Sequence, residues 1–228
     1  MEVIYEDNHI IIVNKAPGEI VQGDKTGDVP LVDTVRQYIK EKYAKPGNVF
    51  CGVVHRLDRP VSGLVVFAKT SKALTRMNEM FRKGEVTKTY WAITSGMPDK
   101  PEARLQGFIK SIEKHNKSYF YPKEVPDSKK AALSYRLIAR GTNYNLLEIN
   151  LETGRKHQIR VQLASIGCPI KGDLKYGAKR SNPDGGISLM ARRIRFIHPV
   201  SGKEIDLTAP VPDEKIWHEL EAKALEQN

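Results

Sequence analysis

The densest run of reactive side chains in the chain is His55-Arg56-Leu57-Asp58-Arg59-Pro60-Val61-Ser62-Gly63. Opposite charge close by favours the ionised form of a carboxylate, and an anionic carboxylate on a rigid loop can serve as a nucleophile or a base. Rigidity is written into the neighbours. Pro60 restricts Arg59 and removes a backbone donor, while Gly63 lets backbone or ligand approach closely. The same composition also suits a surface salt-bridge cluster, and on these residues alone both readings stand. A second run, Glu152-Thr153-Gly154-Arg155-Lys156-His157-Gln158-Ile159-Arg160, sets a turn glycine ahead of cations near a helix start. That is the end where the helix dipole disfavours positive charge. An anion is expected to compensate, either an internal carboxylate or a phosphate, against the plainer reading of a solvated basic face. A third run, Lys88-Thr89-Tyr90-Trp91, alternates as a strand, with Lys88 and Tyr90 on one face and Trp91 on the other. Taken alone, Tyr90 fits a core residue with a bonded hydroxyl better than a site residue.

These segments need elements to position them. Residues 3–5 and 10–14 read as two short strands around the turn Glu6-Asp7-Asn8. Leu31, Val32, Val35 and Ile39 recur at helical spacing. Residues 49–54 read as a strand leading into the Asp58 loop, and 64–68 as a buried strand leaving it. Ser71 reads as an N-cap, with Leu74, Met77, Met80 and Phe81 on one face and Gly84 as the C-cap. Residues 87–94 alternate as a strand. Short strands and turns dominate 104–149, with 133–140 and 144–151 flanking Gly141-Thr142-Asn143 as a hairpin. Gly154 opens a turn that feeds a helix to Ser165, stopped by Gly167. Late strands fall at 194–197 and 205–207, and a C-terminal helix is expected at about 213–226. Strands and helices mix without strict βαβ alternation, which predicts an α+β fold with a mixed, largely antiparallel sheet flanked by helices. No stretch reads as a linker, so 1–228 is expected to form a single domain.

The chain has 228 residues with 37 Lys+Arg and 27 Asp+Glu, a net charge of +10 at pH 7. With 40% hydrophobic and 28% charged residues, the composition is that of a globular domain rather than a disordered or fibrous chain. The longest apolar runs fall far short of the roughly 20 residues needed to span a bilayer, and the acidic, strand-like start is not a targeting peptide. Neither membrane association nor a metal site is expected. Cys51 and Cys168 cannot form a disulfide framework or a Cys-x-x-Cys site, and buried free thiols in a cytoplasmic protein are the expectation. A pI near 9.5 favours polyanionic partners.

Together the three runs resemble the RluA family of RNA pseudouridine synthases. His55-Arg56-Leu57-Asp58 with Ser62-Gly63-Leu64, the Lys88-x-Tyr90 strand and Gly154-Arg155-x-His157-Gln158-Ile159-Arg160 carry the likeness. The opening from Tyr5-Glu6-Asp7-Asn8 to Val13-Asn14-Lys15, Gly172-Asp173-x-x-Tyr176-Gly177 and Phe196-Ile197-His198-Pro199 extend it to about residue 210. The chain departs from the family at Val61, where Thr is common, and at Gln162 and Met190, where His is common. It also reads Ala16-Pro17-Gly18 rather than Pro-Ala-Gly. The S4 RNA-binding module of many relatives is not found ahead of the catalytic motifs, so substrate choice is expected to rest on the catalytic domain's own loops.

The resemblance implies isomerisation of uridine in RNA, ribosomal or transfer, to pseudouridine, with no metal and no organic cofactor. It implies that Asp58 is the catalytic carboxylate, by attack on C1′, attack on C6 or abstraction of the C2′ proton. Arg160 would pair with that carboxylate. Tyr90 would stack on the target base and is a candidate for removal of the C5 proton. The uridine must leave its stack to reach such a pocket, at a cost of a few kcal/mol. RNA contacts are expected from His55, Arg56, Arg59, Lys88, Arg155, Lys156, His157 and Ile159, with His55 and His157 as hydrogen-bonded supports. Lys110, Lys114, Lys117, Lys123, Lys129 and Lys130 around Tyr119-Phe120-Tyr121 suggest an arm gripping the RNA backbone. Arg192, Arg193 and Arg195 form a second candidate phosphate surface. RNA is the expected partner, bound by a monomer with no obligate protein partner. The rival readings are a catalytically silent RNA-binding protein of the same fold, and a metal-dependent nuclease using Asp58 with His55. The latter would need a carboxylate cluster that Asp58 lacks in sequence.

Overall fold

The structure is a computed structural model and describes residues 1–226. In chain order the elements begin with β1 (Glu2–Glu6), β2 (Ile10–Lys15), α1 (Leu31–Lys42), β3 (Gly52–Val53), β4 (Ser62–Ala68) and α2 (Ser71–Lys83). They continue with β5 (Thr87–Thr94), β6 (Glu102–Ile112), β7 (Lys117–Tyr121), β8 (Lys129–Arg140), β9 (Asn145–Leu151) and α3 (Gln158–Ser165). The last are β10 (Leu189–Ile197), β11 (Glu204–Thr208) and α4 (Lys215–Glu226). The fold is α+β and largely antiparallel, as the patterning requires. The pairs β1/β2, β2/β4, β3/β4, β10/β11, β5/β9, β8/β9, β6/β8 and β6/β7 all run antiparallel. The chain groups into two compact units, Met1–Thr87 with Ala191–Ala209, and Lys88–Met190 with the segment after Ala209.

The first unit is ordered β1-β2-β4-β10, with β3 on β4 and β11 on β10. Ile10 to Val13 and Leu64 to Ala68 are buried throughout. Strands covered on both faces lose the polar alternation of a half-exposed strand, which is why both read as unbroken apolar runs. Helix α1 buries Leu31, Val32, Val35 and Ile39. Helix α2 is capped by Thr70, whose hydroxyl accepts from the Ala73 amide at 3.1 Å, rather than by Ser71. It stops at Gly84, left-handed at φ 74° as a C-cap glycine should be. The strand expected at 49–54 contracts to Gly52 and Val53. The cause lies on β4, where the Val66 amide donates to Nε2 of His55 at 3.1 Å, so a side chain stands where a strand carbonyl would.

The second unit is ordered β5-β9-β8-β6-β7. The β8–β9 hairpin pairs Arg140 with Asn145 and closes with the Gly141 amide on the Tyr144 carbonyl at 2.9 Å. Helix α4 packs on β8 and β9 through Trp217, Leu220 and Ala224. It begins at Lys215, two residues later than expected, after a bend at Asp213 and Glu214. Helix α3 is short and buries Gln158 to Leu163 without interruption. Cys51 and Cys168 are buried free thiols. Among the described residues no helix is long and apolar enough to cross a membrane.

Candidate functional site

In the first unit the Asp58 loop joins β3 to β4, and Asp58 is half-buried at its bend. Its carbonyl accepts the Val61 amide at 3.0 Å, closing a turn around Pro60. A cation from the preceding hairpin holds this turn from beneath. Lys15, the last residue of β2, is 1% exposed. Its ammonium donates to the carbonyls of Val61 at 2.6 Å, Ala16 at 2.9 Å and Arg59 at 3.0 Å. All three protons are thus used, which is what a buried ammonium requires. Burial pulls the Lys15 pKa down to about 8, against the charges of Glu19 and Asp58, so the group stays cationic at neutral pH.

The other residues of the loop have separate tasks. His55 accepts from Val66 and stacks on Phe81 at 4.8 Å, a support rather than an exposed imidazole. Arg56 is exposed. Arg59 turns towards residues 18–28, donating to Asp28 at 2.7 Å and to Thr26 at 2.8 Å, with Asp24 at 3.5 Å. Gly63 has φ +108°, and a Cβ there would sit 2.4 Å from the Ala191 carbonyl oxygen. The close approach inferred at Gly63 is therefore one of backbone to backbone, with β10.

In the second unit Gln158 organises the cationic turn. Its side-chain oxygen accepts from Thr153 at 2.8 Å and from the Arg155 amide at 2.9 Å, while its amide donates to the Ala132 carbonyl at 3.0 Å. The chain then enters α3 through His157, held left-handed at φ 55°, a conformation that costs of order 1 kcal/mol or more in a residue other than glycine. His157 Nδ1 lies 2.8 Å from the Tyr176 hydroxyl, whose oxygen also accepts the Ser118 amide at 2.8 Å.

Arg160 is 5% exposed and Asp173 1%. Nε of Arg160 donates to Oδ2 of Asp173 at 2.7 Å and Nη2 to Oδ1 at 2.8 Å, a two-pronged pair. Of the two anions expected to compensate this turn, an internal carboxylate is thus present. The guanidinium also faces the Tyr176 ring, with Cζ 5.0 Å from its centroid. Two-pronged pairing fixes orientation as well as charge.

Tyr90 lies in β5 opposite Ile149 and is 7% exposed. Lys88, whose pKa burial lowers, brings its ammonium 4.0 Å from where a Cβ on Gly154 would stand. Lys88 thus joins the turn that exposes Arg155 and Lys156. Arg155 is steadied by donating from Nε to the Lys130 carbonyl at 2.9 Å. Ile159 is buried. Of the six lysines of the expected arm, Lys110, Lys114 and Lys117 lie in the β6–β7 hairpin, Lys123 between β7 and β8, and Lys129 and Lys130 at the start of β8; Lys117 stands over the rings of Tyr119 at 5.6 Å and Tyr176 at 5.4 Å.

On β10, Arg193 pairs with Asp206 of β11 (Nε–Oδ1 2.6 Å), and Arg192 donates to the Ala209 carbonyl. Among the described residues no group of three or more His, Cys, Asp or Glu side chains could hold a metal ion.

Lys15, Gln158 and the partnership of Asp173 with Arg160 carry no assignment in the sequence reading. Lys15 had a signal: it shares one face of its strand with Ile11 and Val13, both apolar. Ser118 had none.

The sequence model of the family described as RNA pseudouridylate synthase matches residues 9–165. The chain is 34% identical over 236 residues to the ribosomal large subunit pseudouridine synthase D of Vibrio cholerae, covering 95% of this chain and 69% of that protein. It is 32% identical to the protein of the same name from Escherichia coli, covering 95% and 68%. Among solved structures, the human RNA pseudouridylate synthase domain containing 4 superposes with a TM-score of 0.79 at 22% identity, covering 98% of this chain and 93% of that one. The superposition speaks for the fold, and the sequence matches speak for descent: the chain belongs to the RNA pseudouridylate synthase family.

Proposed function

We propose that this chain, an isomerase that converts uridine in RNA to pseudouridine, acts on large-subunit ribosomal RNA with Asp58 as its catalytic carboxylate. The reaction breaks the C1′–N1 bond, turns the uracil and joins C1′ to C5; the C5 proton leaves and N1 gains one, so atoms balance without an oxidant. Three residues carry the chemistry in this reading. Asp58 acts at the junction of sugar and base, Arg160 supplies the cation that orients and offsets its charge, and Tyr90 stacks on the flipped uracil. Residues 1–228 are proposed to work as one catalytic domain.

The observation that carries the proposal is the triple tether of Lys15 on the Asp58 turn. A buried cation spent on holding a bend rigid is costly. It makes sense where the carboxylate on that bend must be kept in one place. The ribosomal substrate follows the named activity of the relatives from Vibrio cholerae and Escherichia coli. The protein is proposed to work in the cytoplasm, where buried free thiols such as Cys51 and Cys168 persist, and as a monomer without an obligate protein partner.

RNA contacts are assigned to Arg56, Arg155, Lys156 and Lys88, and to the lysines of the β6–β7 hairpin. His55, Arg59, His157 and Ile159 shape the surfaces from which these project. Release of tritium from RNA carrying 5-³H-uridine tests the reading. The wild type is expected to release it from large-subunit RNA and Asp58→Asn is not. Release that survives Asp58→Asn refutes the role of Asp58, and its absence in the wild type across total RNA points to the silent RNA-binding alternative. A crosslinking map with no RNA at residues 110–130 removes the hairpin from the assignment.

A further inference from the structure

Tyr176 touches two elements twice each. Its hydroxyl takes the Ser118 amide of β7 and meets His157 Nδ1 at the entry to α3, both at 2.8 Å. Its ring carries the Lys117 ammonium of β7 at 5.4 Å and the Arg160 guanidinium of α3 at 5.0 Å. The ring is 8% exposed and packed with Ile109, Ala131 and Val161, with Phe120 alongside. A second bond joins the same two regions, from the Ser118 hydroxyl to the Lys156 carbonyl at 2.7 Å. Asp173, three residues before Tyr176, spends both its oxygens on Arg160.

We propose that Asp173 and Tyr176 are positioning residues for Arg160, and that Tyr176 ties the seat of Arg160 to β7 of the basic hairpin. The inference rests on the reading of Arg160 as a residue of the reaction. Its logic is geometric. Asp173 allows the guanidinium one plane and one direction, since two parallel N–H···O bonds leave no rotation. Tyr176 sets the floor beneath that plane. A cation over an aromatic face is drawn to the ring's negative π face, and the hydroxyl bonds stop the ring from turning. Because the Ser118 amide is one of those bonds, any shift of β7 reaches the ring. A hairpin that engages RNA thus bears directly on the alignment of Arg160.

A merely structural pair would lower stability and leave the turnover of the folded protein alone. Turnover at saturating RNA, RNA affinity by filter binding and thermal melting separate these roles. Tyr176→Phe, which keeps the ring, is expected to lower kcat about tenfold with RNA affinity within twofold. It should also hasten amide exchange at Ser118. Asp173→Asn is expected to lower kcat further. Each change is then repeated in an Arg160→Lys background, where neither should lower the residual kcat more than twofold. Full, multiplicative losses in that background overturn the proposal, because the two residues would then act without Arg160. So does wild-type kcat in Tyr176→Phe. If Arg160→Lys itself turns over at the wild-type rate, it is the underlying reading of Arg160 that fails. Should Asp173→Asn not fold, Tyr176→Phe carries the test alone.

Discussion

Replacing Lys15 by Met removes a charge and three donors while nearly keeping the volume. Two large terms oppose each other in stability. The Val61 carbonyl loses a fully buried partner at 2.6 Å, a cost of about 1–3 kcal/mol. The Arg59 carbonyl keeps the Gly18 amide at 2.8 Å and suffers less. Against this, the ammonium no longer has to be buried. The fall of its pKa from 10.5 to about 8 is a differential cost of roughly 3 kcal/mol. The net change in stability is therefore within about 2 kcal/mol of zero, a shift in Tm of no more than about 8 °C for a chain of this size.

Turnover has no such compensation. The turn bearing Asp58 loses its tether, and displacement of a reacting group by about 1 Å can cost on the order of 10²-fold. Lys15→Met is expected to lower kcat between about 10- and 100-fold, with RNA affinity unchanged. Tritium release at saturating RNA, filter binding and a thermal melt decide it. A folded variant with kcat within twofold of wild type refutes the reasoning. The pH dependence follows with its own sign. The penalty on the buried charge is complete below about pH 8 and disappears as pH rises towards the ordinary value of 10.5. Over that window the unfolded chain holds more protons, so this group favours folding more as pH rises. The neutral amine, however, has two hydrogens for three carbonyls. Activity should fall above pH 8 without loss of Tm, and the part due to Lys15 should be missing from the Met variant.

Three further outcomes are expected. Gly63→Ala places a Cβ against the Ala191 backbone at φ +108°, and the combined clash and strain should cost about 3 kcal/mol or more, seen as a lower urea midpoint; an unchanged midpoint contradicts the packing described. Burial raises the Glu6 pKa, yet hydrogen bonds from Lys42, Lys69 and Tyr43 prevail and hold it at about 2, so its stabilisation is present above about pH 4.5 and lost as pH falls towards 2. Glu6→Gln should accordingly lose up to about 3 kcal/mol less than wild type between those pH values, measured by urea melts at pH 5 and pH 2.5. Asp58→Ala should bind RNA as the wild type does, with the same fall in affinity as salt rises; a tenfold loss of affinity would show that the carboxylate serves binding instead.

What could be read from the sequence follows a physical boundary. Local periodicity carries its own information, so β2, β4, α1 and the β8–β9 hairpin stand where their apolar spacing and turn residues put them. Where a side chain replaces a strand partner, periodicity misleads: residues 49–54 look like a strand, but His55 occupies the hydrogen bond that a longer β3 would have made to Val66. Thr70 and Ser71 are both capping residues by type, and only the backbone shows which one sits outside the helix. Asp58, Arg56 and Arg59 are adjacent in sequence, yet Arg59 is engaged with Asp28 and Thr26, about 30 residues back along the chain. Partnerships such as Arg160 with Asp173 or Tyr176 with Ser118 join residues 13 and 58 positions apart, and nothing in composition or period encodes them.

Six successive residues of α3, Gln158 to Leu163, are buried without a break. A surface helix offers alternating positions where mutation is cheap; this one offers none over nearly two turns. On the role proposed for the β6–β7 hairpin, variation in what is recognised accumulates instead on exposed stretches such as Glu113 to Asn116 at its tip. Attempts to redirect the protein to a new RNA should begin at that tip and leave the helix untouched.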